Sequence, residues 1–552
     1  MTTGWRRCGA AAGTIALTTL SALSGAPAAN AVTSPQIDVG AVPPDGPPGP
    51  DQPMRQGTYC TKVGTQPGTD YRVQPHFMDM LDLPEAWRFG RGAGVKVAVI
   101  DTGVSPHPRL TNLSGGGDYV MPDGDGLSDC DAHGTIVASI IAAQPATGAP
   151  LPLPRQARRP DTVPTTEAPP PPPPPQTIVT TVIEPPPPPE APPPPEAGPA
   201  GWRGRAVTRT VGWRAGPPLD DPAPNPVPPP DGFSGVAPDV ELIGIRQTSR
   251  AFSPKDAFGD GQDPMTRRKA GDVRTMARAI VHAANTGAQV INISEVSCMP
   301  STNIIDQRDL GAAIRYAAVD RNAVIVAAAG NGGENGNSNC NQNPVYDPLT
   351  PNDPRDWDAV TTVVTPAWFS DYVLTAGSVD PAGVPLKDSV AGPWVGIAAP
   401  GTDVEGLSPR DGGLINAVEG QDNKMLSPAG TSFSAAIVSG VAALVRAKYP
   451  ELTSHQVINR LIRTARAPAR GIDNQVGYGV IDPVAALTYD VPPGEAVAPE
   501  HLSAPLVLPP PIPARNMVPV WAAAAGVGAL AVLCAAVLGV AALLRGVRGD
   551  QS

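Results

Sequence analysis

Three short blocks of the sequence contain an aspartate, a histidine and a serine that could together hydrolyse a peptide bond. Asp101 lies in VIDTG, His133 in DAHGT and Ser432 in GTSFSAA. A serine hydroxyl is a poor nucleophile unless a base accepts its proton, and a carboxylate must hold that base in the correct tautomer. Each residue alone has a structural alternative: a turn for Asp101, a solvent-facing ring for His133 and a helix cap for Ser432. Together, in this order, the blocks predict a catalytic triad.

The predicted reaction also needs hydrogen-bond donors for the negatively charged oxygen that forms during acyl transfer. One candidate is the backbone N–H of Ser432, at the start of an apolar helix whose dipole favours negative charge. The other is the side-chain amide of Asn331, which follows an apolar strand in AAAGNG. The structural alternative for Asn331 is a turn residue before Gly332. We expect neither a cofactor nor a metal ion in this chemistry.

Strand and helix patterns alternate along the part of the chain that carries these blocks. Short apolar runs predict strands at 95–100, 241–245, 290–294, 323–329, 372–379 and 395–399. Helical spacing or apolar runs of helical length predict helices at 134–143, 272–286, 305–319, 432–448 and 454–465. Such alternation is typical of an α/β fold with a mainly parallel sheet flanked by helices, in which catalytic groups gather at the carboxyl ends of the strands.

Proline usage divides the 552-residue chain. Of its 72 prolines, 31 fall in residues 145–230, which predicts an extended insertion within one catalytic domain at 60–490. The insertion is interpreted as a solvated linker, although its apolar islands could dock on a partner. Residues 32–59 are predicted to be an extended N-terminal arm and 491–515 a second proline-rich linker. The net charge of −11 argues against a nucleic-acid partner.

Both ends of the chain carry apolar segments. Residues 1–31 have two arginines, an uncharged stretch and the small-residue ending ANA, which predicts a cleaved signal peptide, with an uncleaved anchor as the alternative. The 29 uncharged residues 516–544 could form a helix of roughly 43 Å, enough to cross a membrane. Arginines in the tail 545–552 place it in the cytoplasm, so we expect a single-pass inner-membrane protein with a periplasmic catalytic domain.

Six cysteines divide according to these segments. Cys8 lies in the signal peptide and Cys534 in the membrane helix. The exported remainder is Cys60, Cys130, Cys298 and Cys340. An even number in an exported chain predicts two disulfides, for which three connectivities are possible. Free buried thiols are the alternative, and the lack of a CxxC spacing argues against a metal site.

The order and flanks of the three blocks resemble the subtilases over residues 94–486. The resemblance implies that Asp101 is the carboxylate, His133 the general base, Ser432 the nucleophile and Asn331 the oxyanion donor. The arm PPDGPPGP, the block DCDAHGT, the signal peptide and the C-terminal membrane helix resemble the mycosins, the membrane-bound proteases of mycobacterial type VII secretion. The long proline insertion of this chain resembles that of the mycosins of the fifth such system.

Further expectations follow from this resemblance alone. It implies the disulfides Cys60–Cys130 and Cys298–Cys340 and an N-terminal extension that stays wrapped on the catalytic domain. It implies protein substrates and partners among the subunits of the secretion membrane complex, and a homotrimer that caps its periplasmic face. The resulting hypothesis is a membrane-anchored serine endopeptidase that also stabilises the complex. The alternative is mainly a scaffold whose proteolysis secretion does not need.

Two sequence features depart from a plain protease pattern. Many subtilases have Ser-Leu-Gly where this chain has ISE at 293–295. Because that strand edge pairs with substrate backbone in the family, Glu295 argues against ordinary broad specificity. Four aspartates also cluster before the histidine block, at Asp123, Asp125, Asp129 and Asp131. They do not form a clear calcium loop, and all but Asp131 are interpreted as a solvated turn.

Overall fold

The structure is a computed structural model that describes most of the chain outside the first residues and the proline-rich insertion. The described residues are 32–146, 230–255, 263–333, 340–346, 355–420, 423–469, 471–503 and 517–549. Two compact units are present, Met1–His501 and Leu502–Ser552. The predicted signal peptide at 1–31, nearly all of the predicted insertion at 145–230 and the second half of the 491–515 linker lie outside the described residues.

A seven-stranded parallel sheet forms the centre of the first unit. Its strands are β1 (Lys96–Asp101), β2 (Leu113–Asp118), β3 (Glu241–Arg246), β4 (Val290–Ile293), β5 (Val324–Ala328), β6 (Val373–Val379) and β7 (Val395–Pro400), in the spatial order β7-β6-β5-β4-β1-β3-β2. Every neighbouring pair is parallel. The predicted α/β class is therefore confirmed.

Helices cover both faces of the sheet, because the central strands are apolar on both sides. The longer helices are α1 (His133–Ala142), α2 (Pro264–Asn285), α3 (Arg308–Arg315), α4 (Thr431–Lys448) and α5 (Ser454–Arg463). In β1, Val97 and Val99 join the core beneath α1, α4 and α5, whereas Ala98 and Ile100 join the core beneath α2 and α3. A strand that is buried on both faces reads as a continuous apolar run, which is why the pattern was recognisable.

Shorter elements complete the first unit. The strands are Ile37–Asp38, Met54–Gln56, Val63–Gly64, Phe252–Pro254, Ser297–Pro300, Thr362–Thr365, Gly406–Leu407, Leu414–Ile415, Ala417–Glu419 and Met425–Leu426. The helical segments are Val39–Ala41, His76–Met80, Leu83–Ala86, Trp87–Phe89, Trp357–Ala359 and Pro483–Thr488, together with a π-helical turn at Tyr316–Asp320.

Two predicted helices have different bounds in the structure. The helix predicted at 272–286 begins at Pro264, because Asp263 caps it by accepting the N–H of Thr266 at 2.8 Å and proline suits the first helical position. The helix predicted at 305–319 begins at Arg308 and ends at Arg315, where the π-helical turn follows.

The N-terminal arm lies along α2. The carboxylate of Asp45 is 2.9 Å from Nδ1 of His282, and Asp51 pairs with Arg274 at 2.5 Å. Arg278 donates to two backbone oxygens of the arm, at 3.0 and 3.1 Å. The arm is thus held by charges and backbone acceptors spaced along one helix face, and its two short strands were not predicted.

Two disulfides are present in the first unit. Cys60 is joined to Cys130, and Cys298 to Cys340. The first joins the residue that follows the arm to the segment that leads into α1, three residues before His133. Cys534 belongs to the second unit, where it is a free and exposed thiol.

The second unit contains a short strand, Leu502–Ser503, and a long helix, Val518–Gly549. Within the helix, Val518–Leu543 has 26 residues with a mean hydropathy of 2.5, and none of them is buried. At about 1.5 Å per residue this stretch exceeds the ~30 Å hydrocarbon core of a bilayer. It is a candidate membrane span by length and composition.

Candidate active site

The three residues of the predicted triad lie at the ends of three buried elements. Asp101 is the last residue of β1, His133 the first of α1 and Ser432 the second of α4. The carboxyl end of a central parallel strand and the N-terminus of a helix both collect ligands in such sheets. Chain segments that are 32 and 299 residues apart in sequence therefore meet at one edge of the sheet.

Asp101 and His133 form a short, shielded pair. Oδ1 of Asp101 lies 2.7 Å from Nδ1 of His133 and also accepts the N–H of Thr102 at 2.7 Å. The Asp101 side chain is fully buried, and its Oδ2 has no hydrogen-bond partner among the described residues. Because a carboxylate accepts this hydrogen bond, Nδ1 is the nitrogen that carries the proton in the neutral ring, and Nε2 is the nitrogen that can act as a base in that form.

Close backbone approach brings α1 onto the end of β1. A side chain at position 134 would not fit there. Its Cβ atom would lie 2.1 Å from the backbone oxygen of Gly103 and 3.0 Å from Asp101 Oδ1. Gly103 itself has φ +99°, and Ala132, before His133, has φ +67°. The glycine of the HGT block therefore allows the histidine to reach the aspartate.

Asp129 holds the beginning of α1, which corrects the interpretation of this aspartate as part of a solvated turn. It is 2% exposed and accepts from the hydroxyl of Thr102 at 2.9 Å and from the N–H and hydroxyl of Thr135 at 2.8 and 2.7 Å. Burial raises the pKa of Asp129 to about 6. Asp123 and Asp125 are exposed, as the prediction required. Asp129 was missed because four nearby carboxylates looked alike in sequence.

The hydroxyl of Ser432 is hydrogen-bonded to the segment that follows β4. Its Oγ donates to the backbone oxygen of Ser294 at 3.1 Å, and among the described residues it makes no hydrogen bond with His133. The His133 ring packs against Phe433, with 5.6 Å between the ring centroids. To act as a nucleophile, this hydroxyl must exchange its hydrogen bond to Ser294 for one to the base. Ser294 was not among the predicted site residues.

Asn331 lies beside the beginning of α4, as its predicted role requires. Its Oδ1 accepts the N–H of Thr431 at 2.9 Å, so that Nδ2 remains as the donor of the side chain. A Cβ at Gly430, where φ is +143°, would lie 2.8 Å from Asn331 Oδ1 and 3.1 Å from Nδ2. The glycine before the TS pair therefore lets the amide approach the helix N-terminus. The N–H of Ser432 is among the first donors of α4, which have no acceptor within the helix.

The charge of His133 is set by two carboxylates. Burial disfavours the imidazolium, but the charge and hydrogen bond of Asp101 and then the charge of Glu295 outweigh it and raise the pKa of His133 to about 9. Oε1 of Glu295 is 3.5 Å from Nδ1 of the ring. Burial raises the pKa of Glu295, which the charge of His133 opposes. One potential ligand atom from each of Asp101, His133 and Glu295 could approach a cation, since these atoms lie within 4.8 Å of one another.

Comparison with known proteins agrees with this geometry. The profile of the Subtilase family matches residues 92–152 and 215–479. Mycosin-5 of Mycobacterium tuberculosis (strain ATCC 25618 / H37Rv) is 61% identical to the chain over 99% of it and 98% of the relative. Mycosin-2 of the same strain is 50% identical over 95% and 96%.

Solved structures give the same result. A chain of an intact ESX-5 inner membrane complex matches 92% of this chain and 100% of its own length with 58% identity and a TM-score of 0.67. The crystal structure of MycP1 from Mycobacterium smegmatis matches 86% and 99% with 43% identity and a TM-score of 0.67.

The chain belongs to the subtilase family, and within it to the mycosins. It is a subtilisin-like serine protease, as the sequence predicted.

Proposed function

We propose that the protein is a membrane-anchored serine endopeptidase in which Asp101, His133 and Ser432 form the catalytic triad. The single observation that carries the proposal is the 2.7 Å contact between the fully buried Asp101 carboxylate and Nδ1 of His133. A carboxylate in this position fixes the tautomer and stabilises the imidazolium that forms when the ring takes a proton. The boundaries of the catalytic domain, 60–490, with the insertion at 145–230, are part of the proposal.

The proposed mechanism begins when the Ser432 hydroxyl exchanges its hydrogen bond to Ser294 for one to His133. Nε2 of His133 accepts the hydroxyl proton while Oγ attacks the carbonyl carbon of the scissile peptide. The oxygen of the tetrahedral intermediate accepts hydrogen bonds from the N–H of Ser432 and from Nδ2 of Asn331. His133 then gives its proton to the departing amine. In the second half of the reaction, Nε2 of His133 accepts a proton from water while the water oxygen attacks the acyl carbon. His133 returns this proton to Oγ of Ser432 as the acid product leaves.

The proposed location is the inner membrane, with the catalytic domain on the periplasmic side. The helix Val518–Leu543 supports a single span. A matching chain at 58% identity belongs to an ESX-5 inner membrane complex, and a second matching chain, at 59% identity, belongs to the periplasmic assembly of such a complex. We therefore propose that this chain works within a type VII secretion complex and acts on protein substrates. The C3 composite of that complex supports a homotrimer.

The test of the triad is labelling and cleavage with two serine variants. Ser432→Ala should lower peptidase activity on a peptide library by a factor on the order of 10⁶ and abolish labelling by a fluorophosphonate. Ser427→Ala is the matched control, because Ser427 is an exposed residue of the loop that leads into α4. Unchanged activity or labelling in Ser432→Ala would remove Ser432 from the mechanism.

A scaffold role is the second candidate function. It is supported by the arm, which is held along α2 by Asp45, Asp51 and Arg278 although peptide hydrolysis does not need it. Ser432→Ala should then leave the secretion complex assembled, because it removes one oxygen atom and no contact surface. A chain that ends at residue 516 should assemble poorly with its triad intact. The yield of purified complex and its export of substrates measure both effects, and the opposite pattern would refute the scaffold role.

A further inference from the structure

The segment that follows β4 contacts both the nucleophile and the base. The backbone oxygen of Ser294 accepts the Ser432 hydroxyl at 3.1 Å, and the next residue, Glu295, brings Oε1 to 3.5 Å from Nδ1 of His133. The same Nδ1 is 2.7 Å from Oδ1 of Asp101. The imidazole therefore has two carboxylates at the one nitrogen that does not act as base, although the triad mechanism uses only one of them.

Glu295 is held close to the ring rather than extended into water. Its side chain is 24% exposed, and the His133 side chain is 20% exposed. A carboxylate in so shielded a place is costly unless it is paired. The charge of His133, and after it that of Arg250, favours the ionised form of Glu295. The position of Glu295 therefore indicates a role that involves His133.

The other charged groups around the ring do not replace Glu295. Asp131 precedes α1, but its oxygens accept from Ser249 Oγ at 2.5 Å and from the N–H of Arg250 at 3.0 Å. Arg250 is exposed, and its charge opposes the imidazolium. Among the described residues, the ring thus faces Asp101 from β1, Glu295 from the segment after β4, and Asp131 and Arg250 from loops. Of these groups, Asp101 and Glu295 lie at Nδ1.

We infer that Glu295 is a positioning residue for His133, a second carboxylate whose charge, 3.5 Å from Nδ1, supports the hydrogen bond between His133 and Asp101 and holds the ring beside the end of β4. The inference rests on the proposed role of His133 as general base. Two consequences follow from the added negative charge. The imidazolium that forms during reaction is stabilised, and the neutral ring that must begin the reaction is populated only at higher pH.

The first experiment measures how the reactivity of Ser432 depends on pH. An uncharged alkyl fluorophosphonate is reacted with the full-length protein in detergent, and the second-order rate constant kinact/KI is followed from about pH 5 to about pH 10. This range covers both the ordinary histidine pKa and the raised value of about 9 for His133. The variants are Glu295→Gln, which keeps the shape and loses the charge, and Glu295→Asp, which keeps the charge. Glu451→Gln is the matched control, because Glu451 is exposed and follows α4 at a distance from the site.

In Glu295→Gln the acid limb of this profile should move to lower pH by about one unit, because one of two neighbouring negative charges is gone. The plateau of kinact at high pH should fall roughly 2- to 10-fold as the imidazolium loses a partner, with KI unchanged. Glu295→Asp should stay near the parent profile. A limb at the same pH in the parent and in Glu295→Gln would overturn the inference. So would an effect seen only with peptides that carry lysine or arginine, since it would make Glu295 a substrate-binding residue.

A second experiment asks whether Glu295 can stand in for Asp101. Asp101→Asn removes the carboxylate that fixes the tautomer, a change that costs about 10⁴-fold in a related triad. With Glu295 present, the loss should be at least about 10-fold smaller than in the Glu295→Gln background. Losses that simply multiply would contradict the inference. If Ser432→Ala remains reactive, the triad itself is wrong. If Ser432→Ala is unreactive but the Glu295 variants behave like the parent protein, the triad stands and this inference fails.

Discussion

Ser432 and Ser294 are joined by two hydrogen bonds that run in opposite directions. The hydroxyl of Ser432 donates to the backbone oxygen of Ser294 at 3.1 Å, and the hydroxyl of Ser294 donates to the backbone oxygen of Ser432 at 3.0 Å. The Ser294 hydroxyl also accepts from Nδ2 of Asn292 at 2.9 Å, and Asn292 Oδ1 accepts from Ser439 at 2.9 Å. A buried polar chain therefore fixes the first turns of α4 against the end of β4.

Removing the Ser294 hydroxyl should loosen this connection. Ser294→Ala leaves Nδ2 of Asn292 without its buried acceptor, so the free energy of unfolding should fall by about 1–3 kcal/mol. Urea denaturation of the protein, followed by the fluorescence of the first unit, measures the change in the free energy of unfolding. Ser427→Ala, at an exposed position, should stay within about 0.5 kcal/mol of the parent protein. Equal stability of the two variants would mean that the polar chain does not stabilise the fold.

The amide nitrogen of Asn331 should contribute to catalysis independently of its oxygen. Asn331→Ala should lower kcat roughly 10²–10³-fold, because one oxyanion donor is lost. Asn331→Asp keeps an oxygen for the N–H of Thr431, which the wild-type Oδ1 accepts at 2.9 Å, but has no donor. It should therefore lose activity to a similar degree with little change in thermal stability. Parent-like kcat in both variants would exclude Asn331 from the oxyanion site.

Glu405 should make the protein less stable as the pH rises. Burial, and then the charges of Asp231 and Asp403, raise the pKa of Glu405 to about 7. Because the folded pKa lies above the unfolded value, the contribution of Glu405 to stability is fully present below the unfolded pKa and is lost as the pH rises through about 7.

Glu405→Gln should therefore become more stable than the parent as the pH increases from 5 to 8, since a neutral side chain has no charge to bury. Urea unfolding at both pH values measures the difference. The exposed acid Glu451 provides the control, and Glu451→Gln should follow the parent at both. If the free energy of unfolding of Glu405→Gln had the same pH dependence as that of the parent, burial would not raise the pKa of Glu405.

The disulfide between Cys60 and Cys130 should stabilise the region around the histidine block. The bond closes a segment with a sequence separation of 70, and the chain-entropy model gives about 4 kcal/mol as an upper value for its loss. The double variant Cys60→Ala/Cys130→Ala should unfold at correspondingly lower urea concentration. Peptide mapping without reductant should recover Cys60 with Cys130. A peptide that joins Cys60 to Cys298 or Cys340 would contradict this pairing.

Much of the fold was predictable from sequence because the responsible signals are local. The runs that became β1, β4 and β5 are buried on both faces and mostly apolar, so their strand character did not depend on knowing their neighbours. The start of α2 was placed eight residues too late because its first two turns are polar, and the Asp263 cap with Pro264 outweighs that pattern. The short strands of the N-terminal arm were not predicted because their partners lie far away in sequence.

By itself the sequence determined the chemistry that is available: an aspartate, a histidine and a serine in blocks typical of one family, on elements of an α/β fold. Only the tertiary structure decided how these groups are arranged. Asp129 is buried and holds the beginning of α1, whereas Asp125 is exposed. The Ser432 hydroxyl donates its hydrogen bond to Ser294 and not to His133. Glu295 contacts the histidine from the segment after β4, 162 residues further along the chain. Hydrogen bonds and pKa values depend on distance and on loss of water, and both arise only when remote segments pack together.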